Sequence, residues 1–144
     1  MSSERLPRQL GIAACLAVIV GILLPYVLVS RPAVATYYDF APVRMEVVGL
    51  LAAIALVALL VWFSDVITSP TLAGFLVIVG ATMFLNTTIW VWTVPTHLVM
   101  ELPTVDEFLY HRWALTVLTA LVATSGLWYV VRLLPRKTTP RGRR

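Results

Sequence analysis

Four long apolar stretches alternate with short polar connections along the chain. They lie at about 10–29, 45–63, 70–94 and 105–134. A run of about 20 apolar residues is long enough to cross the hydrocarbon core of a bilayer as a helix. The pattern therefore predicts that residues 1–134 form a single all-α integral membrane domain. We expect four transmembrane helices in an up-down, left-handed bundle.

Local signals mark the helix ends. Ser69 and Pro70 are typical of the N-cap and first position of a helix, so the third helix should begin there. The segment at 104–107, Thr-Val-Asp-Glu, has the pattern of a capping box and places the start of the fourth helix at Val105. Pro25 predicts a kink in the last turns of the first helix, because proline removes a helical hydrogen bond.

The third stretch has two polar or small sides. Small or short polar pairs recur every seven residues at 73–74, 80–81 and 87–88, which keeps them on one side of a helix. The polar residues of the opposite side are Thr82, Asn86 and Thr93. We expect one side to pack inside the chain and the other to meet a second copy or a partner membrane protein.

Small residues on the other helices predict further close contacts, since they let membrane helices approach each other. The helix-packing positions that we expect are Ala13, Ala17, Gly21, Gly49, Ala53, Gly80 and Ala81.

A few polar side chains lie within the apolar stretches, where each needs a partner or water. They are Glu46, Asn86, Arg112 and Thr116. Inter-helix hydrogen bonds and one ion pair would explain them structurally. The alternative is an outward-facing polar pocket formed by Glu46, Asn86 and Arg112. Because Glu46 and Arg112 each share a helix face with small residues, we predict that these two side chains form the ion pair.

Aromatic residues cluster near the ends of the stretches and predict an interfacial belt. The members are Tyr26, Tyr37, Tyr38, Phe40, Trp62, Phe63, Trp90, Trp92, Trp113, Trp128 and Tyr129.

Composition supports a lipid-embedded chain. It is 60% hydrophobic and 12% charged, against roughly 45–50% and 25% in soluble domains. Eight of the 11 Lys and Arg residues lie at the N-terminus or from Arg132 onward. The positive-inside rule therefore predicts that both termini are cytoplasmic, in the cell membrane. We expect the basic tail at 135–144 to be disordered and to lie against anionic lipid headgroups. The apolar run after Arg8 exceeds the usual length of a signal peptide, so we expect residues 1–35 to be retained.

Several chemistries find little support. Cys15 is the only cysteine, which excludes an internal disulfide or a thiolate metal site within one chain. No Ser/His/Asp constellation or Gly-rich phosphate loop is present. We expect no cofactor and no nucleic-acid partner. Two His–carboxylate pairs at i, i+4 are candidates for a divalent metal, although nothing in the sequence fixes the pairs against each other. These candidates are His97, Glu101, Glu107 and His111.

Three function hypotheses remain. The first is a non-enzymatic membrane protein that acts through helix–helix association, as a small subunit or scaffold in a membrane complex. The second is a small transporter or channel-like protein that uses the outward-facing polar pocket. An integral membrane enzyme is the third, and no sequence motif supports it.

Overall fold

The computed structural model describes residues 5–28, 38, 42–61, 69–94 and 105–134. This part of the chain is all-helical. Its four long helices are α1 (Arg5–Leu28), α2 (Met45–Val61), α3 (Ser69–Thr93) and α4 (Val105–Leu133). The starts of α3 and α4 fall at the positions that the capping signals predict.

Three of the helices are long and apolar enough to cross a membrane. Their candidate spans are Leu6–Leu28, Pro70–Thr93 and Tyr110–Leu133. Helix α2 is shorter, with 17 residues, which corresponds to about 26 Å at ~1.5 Å per residue. The all-α class and the apolar helices agree with the prediction from sequence. Residues 62 and 63, with which the predicted second span ended, lie outside the described residues.

Neighbouring helices pack in a closed cycle. The main contacts join α3 to α4, α4 to α1, α1 to α2 and α2 to α3. Glycines show the relative direction of α1 and α4. A Cβ on Gly11 would lie 3.2 Å from Ser125 Oγ, and one on Gly21 would lie 2.8 Å from Leu115 Cδ2. Residue numbers rise from Gly11 to Gly21 along α1 while those of their neighbours on α4 fall from Ser125 to Leu115. Helices α1 and α4 are therefore antiparallel.

The closest approach of two backbones lies between α3 and α4. A Cβ on Gly80 would lie 2.6 Å from Ala123 Cα, and one on Gly126 would lie 2.9 Å from the carbonyl carbon of Leu76. Each helix therefore contributes a glycine against the backbone of the other, in antiparallel register. Gly80 was among the packing positions predicted from the sequence, and Gly126 was not.

The interior holds three aromatic residues that were predicted to lie in the interfacial belt: Tyr38, Trp90 and Tyr129. Trp90 is fully buried and Tyr38 is 2% exposed. All three rings fill space between the helices, a burial that the sequence pattern did not show. Their level in the membrane stays a prediction. Trp92, by contrast, is 80% exposed.

On α1, the buried face differs from the predicted small stripe. Ala13 is exposed, whereas the buried face passes through Ala14, Val18 and Ile22. That face is rotated by one residue, or about 100°, because the larger aliphatic side chains fill the core. On α3, Gly80 is buried while Ala81 is exposed. Ala17, Gly49 and Ala53 are half-buried.

Candidate functional site

Pro25 lies inside α1 and has no backbone N–H, so the carbonyl of Gly21, four residues earlier, lacks its usual helical donor. The Nε2 atom of His111 on α4 lies 2.7 Å from that carbonyl oxygen. A carbonyl oxygen only accepts hydrogen bonds, so the Nε2 atom of His111 carries the proton and donates it. A side chain of α4 thus satisfies the acceptor that proline leaves unpaired in α1.

Tyr38 makes a second hydrogen bond from a side chain to a backbone carbonyl of α1, one residue further along the helix. Its hydroxyl donates to the carbonyl of Ile22 over 3.1 Å. The Tyr38 ring lies 5.8 Å from the ring of Tyr26 on α1 and 5.8 Å from the ring of Trp90 on α3. Tyr38 therefore links α1 to α3 through one hydrogen bond and two ring contacts.

We name this site the Pro25 clasp and define it as Pro25, the carbonyls of Gly21 and Ile22, His111 and Tyr38. The sequence alone shows the Gly21 acceptor of this site, because a proline inside a helix removes the N–H that would pair with the carbonyl four residues earlier. The donors could not be found in this way, since His111 lies 90 residues from Gly21 along the chain.

One ring nitrogen of His111 has a structural role, because it forms a hydrogen bond between two helices. Its Nε2 atom is engaged with a backbone carbonyl, so that atom is not available as a metal ligand. Of the other metal candidates, His97 and Glu101 lie outside the described residues, as does the side chain of Glu107. Within the described part of the chain, no group of three or more His, Cys, Asp or Glu residues is arranged to hold a metal ion.

The four predicted intramembrane polar residues are not brought into one cluster. Glu46 is exposed on α2, which lies diagonally across the bundle from α4. Among the residues that the structure describes, no ion pair joins Glu46 to Arg112. Thr116 donates its hydroxyl to the Arg112 backbone carbonyl over 3.0 Å, and Asn86 lies on another helix. Among the described residues, Glu46 and Arg112 therefore lie on helices that are not main packing neighbours, and no hydrogen bond joins Asn86 to Arg112 or Thr116.

The third helix keeps both of its predicted sides. Ala73, Gly80 and Thr87 are buried, whereas Thr82 and Thr93 are exposed and Asn86 is half-buried. The outward side chains bond mainly to their own helix. Thr82 donates to the Ile78 carbonyl over 2.8 Å, and Asn86 Nδ2 donates to the Thr82 carbonyl over 2.8 Å. The small side is therefore the one that packs inside the chain.

The Asn86 amide is only half satisfied by this arrangement. Its nitrogen donates to Thr82, but no donor reaches its side-chain oxygen from the described residues. Large apolar side chains share the outer side of α3 with Asn86: Ile78, Leu85, Ile89 and Trp92 are all exposed. The Asn86 amide oxygen therefore lies on an outer surface that is apolar apart from Thr82 and Thr93.

Comparison with known proteins gives one match. Residues 1–134 match a family of unknown function, DUF7548. No curated protein and no solved structure matches the chain.

Proposed function

We propose a function for this chain, which belongs to the family DUF7548, from the outer side of its third helix. In this proposal the protein is a non-enzymatic, multi-pass membrane protein that associates laterally with another membrane helix. It acts as a small subunit or scaffold of a membrane complex. The partner helix belongs to a second copy of the chain or to a different membrane protein.

The observation that carries this proposal is the Asn86 amide oxygen on the outer side of α3, to which no described residue donates a hydrogen bond. Lipid acyl chains offer no hydrogen-bond donor, and an unsatisfied buried amide group costs about 1–3 kcal/mol in proteins. A polar group on a neighbouring helix would remove that cost. Polar side chains act in this way between membrane helices.

The spacing of the outer side chains also suits a helix partner. Exposed side chains follow one another at Ile78, Thr82, Leu85, Ile89 and Trp92, in alternating steps of four and three residues. This spacing is the one by which two helices pack along a common seam. Asn86 lies directly beside the seam.

The proposed topology has four spans with both termini on the cytoplasmic side. It is supported by the excess of Lys and Arg at the N-terminus and after Arg132. A reporter fused at residue 140 should report the cytoplasm, and one fused within 96–104 should report the outside. An external signal from the fusion at residue 140 would refute this topology.

Site-specific crosslinking in native membranes tests the proposed association. A photoreactive amino acid at Leu85 or Ile89 should give protein–protein adducts, and mass spectrometry would identify the partner. The control position is Val57, an exposed aliphatic residue on α2, which should give lipid adducts alone. Absence of protein adducts from both α3 positions would refute the proposal.

Matched threonine variants separate association from helix stability. Thr82 on α3 and Thr124 on α4 are both exposed, and each donates over 2.8 Å to the carbonyl four residues earlier. Replacing either threonine by valine removes an equivalent hydrogen bond within its own helix. Only Thr82 lies on the proposed seam. Thr82→Val should therefore reduce the crosslinking yield, whereas Thr124→Val should not. Asn86→Leu should weaken association by about 0.6–1.7 kcal/mol, the range for one inter-helix hydrogen bond.

A further inference from the structure

Arg112 is a charged residue inside a candidate membrane span, and none of the described residues pairs with its charge. The span is Tyr110–Leu133, so Arg112 lies close to its beginning. The Nε atom is buried and makes no hydrogen bond. Within the described part of the chain, the guanidinium group forms no ion pair either. The residue as a whole is half-buried, so part of its side chain reaches the surface.

Exposed aromatic residues mark the depth of Arg112 in the membrane. Tyr110 and Trp113 flank it on α4, and both are exposed. On α3, Trp92 lies 12 residues after Gly80, and on α4, His111 lies 12 residues before Ala123. Because Gly80 and Ala123 are in contact in antiparallel helices, Trp92 lies at the level of His111. Aromatic side chains at one end of a membrane helix bundle are typical of the headgroup layer.

A guanidinium group at this depth lies close to the phosphates of the lipid headgroups, which carry the opposite charge. Lipid phosphates lie in the headgroup layer, and Arg binds phosphate oxygens through two parallel N–H···O bonds. A charge that is left without a partner at the edge of the apolar layer is costly. The other end of α4 provides a contrast, since the Arg132 guanidinium lies over the Trp128 ring at 5.7 Å from its centre.

We propose that Arg112 is a binding site for the phosphate of a lipid headgroup, in the leaflet at the end where α1 and α3 finish. The exposed Trp92, Tyr110 and Trp113 hold the glycerol and upper acyl region of the same lipid, since their rings suit that layer. The site requires the membrane insertion of α4 and is independent of the helix association proposed for α3.

Native mass spectrometry of the detergent-solubilised chain tests this site. Phosphatidylglycerol should bind about tenfold more tightly than diacylglycerol, which has the same acyl chains and no phosphate, because charge-assisted hydrogen bonds are strong. Arg112→Gln should abolish that preference, and Arg112→Lys should keep part of it through its positive charge. Equal binding of both lipids by the unaltered chain would overturn the proposal.

Arg44 provides the matched control for charge. It is an exposed arginine immediately before α2, and Arg44→Gln removes one positive charge from the chain, as Arg112→Gln does. The preference for phosphatidylglycerol should survive this change; an equal loss in both variants would mean that the lipid responds to net charge and would overturn the site. Inorganic phosphate at millimolar concentration should not displace the lipid, and full displacement would identify a soluble anion as the ligand instead. Circular dichroism of each variant verifies that the helices are intact.

Discussion

The imidazole of His111 donates a hydrogen bond to the carbonyl of Gly21, over 2.7 Å. The acceptor exists because Pro25 has no N–H to offer it. One residue of α4 thus completes the hydrogen bonding of α1. This relationship makes the two positions thermodynamically dependent on each other, and a double-mutant cycle measures that dependence.

The first prediction concerns this pair. His111→Phe should destabilise the chain by about 1–3 kcal/mol, because it leaves the Gly21 carbonyl unsatisfied. In a Pro25→Ala background the same change should cost clearly less, since the introduced alanine restores the N–H that Gly21 needs. The measurement is the midpoint of unfolding in mixed detergent and sodium dodecyl sulfate. Equal losses in the two backgrounds would contradict the compensating role of His111.

A second prediction separates the two contributions of Tyr38. Tyr38→Phe removes the hydroxyl that donates to Ile22 and keeps the contacts with the rings of Tyr26 and Trp90. It should cost about 0.6–1.7 kcal/mol, the range for one hydrogen bond in a membrane protein. Tyr38→Ala should cost about 3–5 kcal/mol, because it also leaves a cavity among buried residues. Similar losses for both variants in the same unfolding assay would assign the stabilisation to the hydroxyl alone.

The third prediction compares two glycines of α3. Gly80→Ala should destabilise the chain by about 1–3 kcal/mol, because the new methyl group would meet the backbone of α4. Gly74 is the matched control on the same helix, since a Cβ there would meet no atom within 4 Å. Gly74→Ala should leave stability unchanged or raise it by up to about 1 kcal/mol through better helix propensity. The prediction fails if the two variants unfold at the same midpoint.

A fourth prediction concerns a buried hydroxyl on α3. Thr87 is fully buried and its Oγ1 atom makes no hydrogen bond to any described residue. The equally buried Thr119 donates to the carbonyls of Leu115 and Thr116. Thr87→Val should therefore stabilise the chain, by about 1 kcal/mol. Thr119→Val should leave it unchanged or less stable. A loss of stability in Thr87→Val would show that the hydroxyl has a partner in the folded protein.

The sequence by itself determined the elements of this protein. Helices begin at Ser69 and Val105 because capping acts within a few residues and leaves a local signature. The apolar length of the spans is likewise a local property, and so is the acceptor that Pro25 creates at Gly21. Periodicity also separated the two sides of α3, since residues seven apart lie on one side of a helix whatever it packs against.

Only the tertiary structure decided which faces and side chains meet. In an apolar helix almost every face is hydrophobic, so periodicity does not show the rotation of α1 that buries Ala14 and exposes Ala13. The predicted approach of Glu46 to Arg112 depended on which helices are neighbours, and α2 and α4 lie diagonally across the bundle. The donor for Gly21 and the burial of Tyr38 depend in the same way on contacts between distant segments. Such contacts are set by the packing of whole helices, which no local pattern encodes.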